Sequence, residues 1–213
     1  ESIAAGLAGL AWAGGLPGTF GGAIRGNAGC YGAEIKDTIL SVTSIEINSG
    51  KEITRRNAEC QFGYRDSIFK RKAEIIIEAT LQLASGDKEI LRAEADSHIS
   101  QRQERHPLEY PNAGSIFKNV PLERLPKTHL PLFADAIKND PFPVVPTAKI
   151  IAVAGLKGLR VGRAEISQKH SNMIVNLGGA TAKDVTELIE LVRLKIRALY
   201  QVELEVEPEM VGF

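Results

Sequence analysis

The sequence is poor in the features that mark several specialised classes of protein. It has two cysteines and one tryptophan in 213 residues, and its 26 basic residues match its 26 acidic ones, for a formal net charge of +0. A charge-driven nucleic-acid binder carries a basic excess that neutralises phosphates, so no nucleic-acid partner is expected. Cys30 and Cys60 are too few for a disulfide framework and lack the spacing of metal ligands. We therefore expect free thiols in a reducing cytoplasm and no metal site.

Long apolar runs are also absent. The apolar residues near the start are confined between Glu1 and Pro17, short of the roughly 20 residues that a membrane-spanning helix needs. No basic region precedes them, as one would in a signal peptide. We expect no membrane partner, and we interpret the run as a helix that leads into a glycine-rich turn. Because the chain opens on Glu1 rather than Met, a preceding part of the protein is expected.

The rest of the composition is that of a folded protein, with 44% hydrophobic and 24% charged residues. At roughly 150 residues per domain, the length corresponds to about one and a half domains. A highly charged, helix-like segment over 86–105 suggests a boundary that divides the chain into 1–105 and 106–213. Hairpins and interspersed helices, rather than repeated βαβ units, predict the α+β class.

Strand and helix patterns are clear in the first part. β-branched residues followed by Asn48-Ser49-Gly50 predict a hairpin over 38–54. Residues 73–84 have the composition of a buried strand. Residues 86–105 place apolar side chains at the spacing of an exposed amphipathic helix.

The second part begins with an unusual stretch. Six prolines lie between residues 120 and 147, which predicts an irregular connection that forms either a lid or a surface excursion. A short helix is predicted over 148–154, followed by strands near 160–167 and 173–177.

The last helix has the clearest pattern. Thr181 and Asp184 predict its N-terminal cap. One apolar stripe is formed by Val185, Leu188, Ile189, Val192, Ile196 and Leu199. The helix leads into an alternating strand over 202–207, which Pro208 keeps from a central position in a sheet.

Two glycine-rich turns, at residues 15–23 and 26–32, are candidates for binding an anion. Glycine lets backbone N–H groups approach a phosphate, so the turns could hold a diphosphate. The alternative is tight packing between small-residue helices. Neither a P-loop nor a complete dinucleotide-binding fingerprint is present.

Other polar residues could take part in a reaction. Arg65 beside Tyr64 could bind a carboxylate or stabilise an enolate, or it could form an ordinary surface pair with Asp66. Ser115 could be a proton donor or a nucleophile, or an ordinary turn serine, since no Gly-x-Ser-x-Gly elbow surrounds it. His170 could contact a diphosphate or lie on the surface.

Four glutamates alternate near the end of the chain, at residues 203, 205, 207 and 209. A period of two places them on one face of an extended segment, so a solvated edge is the plain interpretation. From the residues alone, the sequence predicts a cytoplasmic α+β protein with a possible anion site.

At these positions the sequence resembles a known family. Six unrelated motifs occur in the order in which the UDP-N-acetylenolpyruvoylglucosamine reductase family has them, over nearly the whole chain. The motifs cover residues 16–23, 27–32, 64–67, 112–119, 154–158 and 169–172. Several motifs in a fixed order are far more specific than one glycine-rich match.

The resemblance implies a fold and an activity. Residues 1–105 would be the second subdomain of a flavin-binding domain of the vanillyl-alcohol-oxidase type, and 106–213 an α+β substrate-binding domain. NADPH would reduce FAD, which would then deliver hydride to the enolpyruvyl double bond of UDP-N-acetylglucosamine enolpyruvate. The product would be UDP-N-acetylmuramate, which is used in peptidoglycan synthesis and cell-wall biogenesis.

The resemblance also implies roles for individual residues. Arg65 and Glu207 would stabilise the enolate that hydride transfer leaves. Ser115 would protonate the adjacent carbon, assisted through Lys118 or Asn119. The substrate-binding residues would be Tyr64, Lys118, Asn119 and His170. The FAD-binding residues would be Pro17, Gly18, Thr19, Gly21, Gly22, Asn27, Ala28, Gly29, Tyr31 and Gly32.

The chain departs from the family pattern in two places. Pro208 follows Glu207 where the family has a β-branched residue, so Glu205 and Glu209 are kept as alternatives. The Gly-Gly-Gly-Ser-type loop of the first FAD subdomain is not found, so we expect that this subdomain is missing and is a partner of the chain. One alternative is a non-catalytic UDP-sugar-binding module that needs a separate FAD segment. A different flavin oxidase of the same fold is a third, disfavoured possibility.

Overall fold

The computed structural model describes residues 1–139 and 141–212. The chain divides into two compact units, Glu1–Arg102 and Gln103–Phe213. We call them the first and the second unit.

The first unit is built on short antiparallel sheets. Its strands are β1 (Leu7–Ala8), β2 (Gly29–Cys30), β3 (Ala33–Glu34), β4 (Ile39–Glu46), β5 (Glu52–Arg56), β6 (Glu74–Leu81) and β7 (Ala84–Ser85). Its helices are α1 (Phe20–Arg25) and α2 (Lys88–Arg105), the last turn of which extends into the second unit. The main sheet has the order β5-β4-β6, and β2–β3 and β1–β7 form two separate pairs.

The hairpin predicted over 38–54 is confirmed as β4 and β5, which pair from Ser41 with Arg56 to Ile45 with Glu52. The prediction that 73–84 is a buried strand is wrong in part. β6 lies at an edge of its sheet, and Ile75 and Ile77 are 59% and 50% exposed. Only one face of the strand is covered, which is the usual arrangement in antiparallel sheets.

The helix predicted before Pro17 is wrong. Gly6, Gly9 and Gly15 have φ values of +72°, +119° and +70°, which a right-handed helix does not contain. The segment instead forms β1 and one 3-10 turn around the buried Trp12, whose indole Nε1 donates to the Gly9 carbonyl at 3.0 Å.

A buried ion pair joins β5 to β6 across the central strand. Arg55 donates to both carboxylate oxygens of Glu74, at 2.6 and 2.8 Å, and Ser44 of β4 donates to the same carboxylate at 2.6 Å. The side chains of Glu74 and Arg55 are only 4% and 13% exposed. The Arg55 guanidinium holds the pKa of the Glu74 carboxyl below its usual value.

This carboxylate makes the stability of the first unit dependent on pH. Its pKa is lower in the folded than in the unfolded chain, so its contribution is present above about pH 4.3 and is lost as the pH falls through the folded pKa. We expect Glu74→Gln to lower the free energy of unfolding by about 1.5–3 kcal/mol at neutral pH. The difference from the unmodified chain should shrink below pH 4. Urea unfolding at several pH values measures it, and a constant difference would contradict the assignment.

The second unit contains two antiparallel sheets and the longest helix. Its strands are β8 (Asn112–Ser115), β9 (Val120–Pro121), β10 (Lys138–Asn139), β11 (Pro143–Val145), β12 (Arg160–Val161), β13 (Ala164–Ile166) and β14 (Met173–Asn176). Its helices are α3 (Thr147–Val153) and α4 (Ala182–Tyr200). The strand orders are β12-β13-β14-β8 and β10-β11-β9. Helices and antiparallel sheets occur in both units, and the fold class is α+β as predicted.

The helix α4 begins as its sequence predicts. Thr181 and Asp184 each bond the other's backbone N–H in a capping box, at 3.1 and 3.0 Å. The predicted apolar stripe is wrong in the last turn, where Leu199 is 51% exposed and Tyr200 is 7% exposed. Tyr200 follows Ile196 by four residues and packs edge-on against the buried Phe133, with ring centroids 5.4 Å apart.

The proline-rich stretch is part of the core of the second unit. It forms β9, β10, β11 and several 3-10 turns, and Phe133, Val144 and Val145 are fully buried. The predicted lid or surface excursion is therefore wrong for these residues. The strand predicted over 202–207 is reduced to one bridge, between Phe117 and Val206.

Candidate functional site

Ser115 is the last residue of β8. It pairs with Met173 of β14, and its side chain is partly exposed. Within residues 1–139 and 141–212, the Ser115 hydroxyl has no hydrogen-bond partner. The strand therefore fixes the position of a hydroxyl whose donor and acceptor capacity is still available.

The C-terminal segment runs antiparallel to the chain that follows Ser115. Phe117 and Val206 form a bridge, and the backbone N–H of Glu207 donates to the carbonyl of Ile116 at 2.9 Å. The predicted proton donor and the predicted acidic residue, which are far apart in sequence, thus lie on adjoining extended segments.

The four glutamates of this segment have different environments. Glu207 is partly buried, whereas those at 203, 205 and 209 are exposed. Glu205, one of the two alternatives to Glu207, forms an ion pair with Lys118 at 2.5 Å. Glu207 thus differs from the other three in its burial, and its role as the acidic member of the site stays a prediction.

The predicted substrate residues Lys118 and Asn119 also have structural contacts. Asn119 Oδ1 accepts the backbone N–H of Thr147 at 3.2 Å, and Thr147 Oγ1 donates to the carbonyl of Lys118 at 2.6 Å. These bonds hold the start of α3 against the segment that follows β8. The assistance of Ser115 by either residue stays a prediction.

Asn172 is a residue whose role the sequence interpretation missed. It is 4% exposed, and its side-chain amide bonds the backbone of Phe117 twice: Nδ2 donates to the carbonyl at 2.7 Å and Oδ1 accepts the N–H at 3.0 Å. Its own carbonyl accepts the N–H of Ile116 at 2.8 Å. The amide acts as one more peptide group of β14 and fixes the register of the segment that carries Ser115.

His170 lies in the loop between β13 and β14. Its backbone N–H donates to Ser167 Oγ at 3.2 Å, and its ring contacts that of His106 edge-on. Burial, with the charges of neighbouring groups, lowers the pKa of His170 to about 4. The imidazole is therefore neutral near pH 7.

In the first unit, Tyr64 and Arg65 form the two central residues of a tight turn, closed by a bridge between Gly63 and Asp66. Arg65 adopts the left-handed conformation, with φ +55°. Its Nη2 donates to the carbonyl of Gly29 at 2.6 Å, and its guanidinium carbon lies 5.2 Å from the centre of the Tyr64 ring. The guanidinium is thus held by the second glycine-rich turn.

The Asn27 side chain also holds the turn of Tyr64 and Arg65 in place. Its side chain is fully buried, Nδ2 donates to the Gly63 carbonyl at 2.8 Å, and Oδ1 accepts the N–H of Lys36 at 3.2 Å. The side chain is occupied by protein contacts, so a contact between Asn27 and FAD would use its backbone. The backbone of Ala28, another predicted FAD residue, bonds Ala23 and Ile35 at 2.8 Å each.

The first glycine-rich turn presents open backbone at the start of α1. Thr19 caps the helix by accepting the N–H of Gly22 at 3.1 Å. Gly18 has φ +108°, and no described residue other than its two chain neighbours has an atom within 4 Å of the position that a Cβ would take. Such a surface lets a ligand approach the main chain closely.

Tyr31 and Gly32 form the two-residue turn between β2 and β3. Both have positive φ, +56° and +82°, as a type I′ turn requires. The Tyr31 ring, 43% exposed, stacks on His98 with centroids 3.9 Å apart, and Arg102 lies 5.4 Å from its centre. The turn therefore presents a partly exposed aromatic ring in a fixed orientation.

Comparisons connect these features to known proteins. Residues 106–211 match the family described as UDP-N-acetylenolpyruvoylglucosamine reductase, C-terminal domain. A UDP-N-acetylenolpyruvoylglucosamine reductase of Thermotoga petrophila is 41% identical over 204 residues, which are 96% of this chain and 64% of that protein. One of Clostridium novyi is 38% identical over 206 residues, which are 97% of this chain and 60% of that protein. The chain belongs to the UDP-N-acetylenolpyruvoylglucosamine reductase family.

A solved structure of this reductase family has the same fold. The crystal structure of the Thermus caldophilus reductase is similar with a TM-score of 0.75 and 32% identity, over 98% of this chain and 66% of that chain. The resemblance inferred from the six motifs is confirmed. The chain spans 60–64% of the length of the two reductases compared by sequence.

The predicted residues of the reductase site are divided between the units. Tyr64, Arg65 and the two glycine-rich turns belong to the first unit, and Ser115, Lys118, Asn119, His170 and Glu207 to the second. Asn172 and His106 join the latter group. Asn172 had a signal in the sequence, because it is a polar residue at the start of the apolar run 173–175, whereas nothing in the sequence pointed to His106.

Two kinds of feature are absent from the part of the chain that the structure describes. In residues 1–139 and 141–212, no three His, Cys, Asp or Glu side chains are grouped as ligands of a metal ion. No helix in the same residues has the length and apolar composition to cross a membrane.

The second glycine-rich turn provides a test of packing in the first unit. A Cβ on Gly29 would lie 2.7 Å from Glu34 Cγ and 2.8 Å from the Ala33 carbonyl oxygen. We expect Gly29→Ala to lower the free energy of unfolding by about 1–3 kcal/mol. Urea unfolding followed by the fluorescence of Trp12, the single tryptophan, measures the loss.

The matched control for Gly29→Ala is Gly26→Ala. Gly26 has φ −89°, and its Cβ would meet only the Gly22 carbonyl oxygen, at 3.5 Å. We expect a change within about 1 kcal/mol. Equal losses in the two variants would contradict the close approach of β2 and β3 at Gly29.

Proposed function

We propose that this chain supplies the substrate-binding part and one portion of the flavin site of a cytoplasmic reductase. The reaction is the NADPH-dependent, FAD-mediated reduction of UDP-N-acetylglucosamine enolpyruvate to UDP-N-acetylmuramate in peptidoglycan synthesis. The family supports the reaction class. The chain spans less than two thirds of these relatives, and we propose that turnover also uses the part of the reductase that these residues do not span, the remaining FAD subdomain.

The observation that carries the proposal is the pairing of the Ser115 strand with the C-terminal segment. The Glu207 N–H donates to the Ile116 carbonyl at 2.9 Å. Glu207, which carries a carboxylate, therefore lies beside the residue that follows Ser115, and Ser115 ends β8 with a hydroxyl that no described residue bonds. An enolpyruvyl group needs a proton donor at one carbon and polar groups around its carboxylate. Ser115 and Glu207 are residues of these types.

The residues of this chain have separate roles in the proposed reaction. Arg65 and Glu207 stabilise the enolate that forms when hydride reaches the terminal carbon. Ser115 donates its proton to the adjacent carbon, which completes the reduction. Tyr64, Lys118, Asn119 and His170 hold the UDP-sugar. FAD, when bound, supplies the hydride that it receives from NADPH.

The first unit has features that fit FAD at the two glycine-rich turns. Gly18 leaves open space beside the main chain, and Thr19, Gly21 and Gly22 form the first turn of α1. The half-exposed ring of Tyr31 offers an apolar face. In this proposal Pro17–Gly22 and Asn27–Gly32 hold the cofactor, with Gly29 and Ala28 in contact through the backbone.

Reconstitution tests the proposal. The chain would be produced with the part of the Thermotoga petrophila reductase that it does not span, and FAD, NADPH and the enolpyruvyl sugar would be added. We expect yellow protein, NADPH oxidation that depends on the sugar, and UDP-N-acetylmuramate as product. A colourless protein that oxidises no NADPH would contradict the proposal.

The second candidate is a UDP-sugar-binding module without turnover. It is favoured by one observation: three of the four predicted substrate-binding residues, Lys118, Asn119 and His170, lie in the second unit. It predicts that the reconstituted protein binds the UDP-sugar in calorimetry but never oxidises NADPH. Product formation in the reconstitution experiment would exclude it.

A further inference from the structure

The first turn of α3 is hydrogen-bonded to two segments of the second unit that are far apart in the sequence. The segment after β8 carries Lys118 and Asn119, and the loop between β13 and β14 carries His170. Each segment makes its own bonds to the start of the helix, at Thr147 and Ala148. The start of α3 is therefore a shared support for both.

Thr147 bonds the segment after β8 in two ways. Its hydroxyl donates to the carbonyl of Lys118 at 2.6 Å, and its backbone N–H donates to Oδ1 of Asn119 at 3.2 Å. Thr147 is fully buried. Without the hydroxyl, the Lys118 carbonyl would lose this donor and the segment would lose one of its two ties to the helix.

Ser171 bonds the same turn from the loop between β13 and β14. Its hydroxyl donates to the carbonyl of Ala148 at 2.5 Å, and the residue is buried. Ser171 directly follows His170, whose backbone N–H donates to the hydroxyl of Ser167 at 3.2 Å. Ser167 is buried as well. Two buried hydroxyl groups thus hold the backbone around His170, and one of them connects it to α3.

The start of α3 is itself held in place. Val145 of β11, two residues before the helix, pairs with Val120 of β9. Pro146 follows with φ −59°, an angle that its ring restricts. The turn therefore has little freedom to follow one bonded segment without affecting the other. A contiguous set of hydrogen bonds of this kind can transmit a displacement from one segment to the other.

We propose that Thr147 and Ser171 are positioning residues, which set where Asn119 and His170 lie relative to each other. Both hydroxyls donate to carbonyls of the chain, so they act through other residues and not on the substrate. If Asn119 and His170 hold the UDP-sugar, a displacement of either segment weakens binding of the sugar in the ground state and in the transition state. This consequence rests on the proposed function. The structural link between the two segments does not.

NMR of the chain alone tests the link. We expect Thr147→Val, which keeps the size of the side chain, to shift the imidazole signals of His170. We expect Ser171→Ala to shift the side-chain amide signals of Asn119. In neither case is the substituted residue bonded to the residue that is observed. Thr128→Val, at an exposed position of the same unit, is the matched control and should shift neither set of signals.

Kinetics of the reconstituted protein measures the consequence for the substrate. Thr147→Val and Ser171→Ala should each raise KM for the enolpyruvyl sugar about tenfold, the effect of losing roughly one hydrogen bond. Each should change kcat less than about threefold, because binding is lost equally in the ground and transition states. Thr147→Ser keeps the hydroxyl and should restore KM. The double variant should raise KM by less than the product of the single effects, since both act on one turn.

Two outcomes would overturn the proposal. In the first, signals shift only in the substituted segment, so each hydroxyl acts locally. In the second, kcat falls while KM is unchanged, which placement of the sugar does not produce. If Thr147→Val does not fold, the response of Asn119 in Ser171→Ala decides alone.

The NMR test is independent of the proposed function. It uses no flavin, NADPH or enolpyruvyl sugar. It can therefore fail while the reconstituted protein reduces its substrate, and it can succeed when the reconstitution fails.

Discussion

Ser115→Ala is expected to slow reduction of the enolpyruvyl substrate by about 10²–10⁴-fold, because a positioned proton donor contributes that much to a rate. β8 holds Ser115 opposite Met173, and no described residue is hydrogen-bonded to the Ser115 hydroxyl. In the alanine variant, therefore, no side chain paired with this hydroxyl can supply the proton instead. Reduction of FAD by NADPH needs no proton from Ser115 and should keep its rate. Stopped-flow absorbance of the reconstituted protein measures the two half-reactions separately.

Two further variants make the Ser115 result specific. Ser115→Cys keeps a donor of similar size and should lose less activity than the alanine variant. Ser100→Ala removes an exposed serine of α2 and should leave both half-reactions unchanged. Flavin reoxidation by substrate at the original rate in Ser115→Ala would show that the role assigned to this serine is wrong.

Local patterns were sufficient where neighbouring residues alone determine the structure. The capping box of Thr181 and Asp184 lies within four residues, and the periodicity from Leu188 to Ile196 follows from the geometry of one helix. The same periodicity fails at Leu199, because burial in the last turn depends on Phe133, 67 positions away, which packs on Tyr200 instead.

The prolines of 120–147 and the glycines near the start of the chain both affected the structure prediction, in different ways. The prolines of 120–147 correctly excluded long helices there, but they gave no sign that Phe133 and Val145 belong to the core, which depends on pairing of β11 with β9. At the start of the chain, apolar residues suggested a helix although Gly6, Gly9 and Gly15 are spaced through them. Their positive φ values show that the glycines, rather than the apolar spacing, determine the path.

The sequence could nominate residues for the candidate site but could not give their geometry. The resemblance assigned roles to Ser115, Glu207 and His170 individually, and these roles stay predictions. Their arrangement depends on contacts between distant segments, such as the bridge of Phe117 to Val206 and the contact of His106 with His170. A single sequence contains no record of such pairs, so the contact partners of the Asn172 amide and of the His106 ring could not be assigned.

Asn172→Ala is expected to lower the free energy of unfolding of the second unit by about 2–5 kcal/mol. The substitution leaves the buried N–H and carbonyl of Phe117 without partners, and each unsatisfied group costs about 1–3 kcal/mol. Hydrogen-exchange mass spectrometry in urea measures the loss in peptides that cover 112–119 and 202–207. Asn139→Ala, at an exposed position in the same unit, should change the exchange little.

Asn172→Asp separates hydrogen bonding from packing, because it keeps the size and shape of the side chain. An aspartate still accepts the Phe117 N–H but presents a second acceptor to the Phe117 carbonyl, so the ionised form is disfavoured and its folded pKa should rise above the usual value of about 3.9. A group whose pKa is raised on folding adds stability as the pH falls. The aspartate variant should therefore be destabilised at pH 7 and recover part of its protection near pH 4.5, while the alanine variant should not. Identical pH profiles for the two variants would mean that Asn172 acts by filling space, and that its amide does not fix the strand of Ser115.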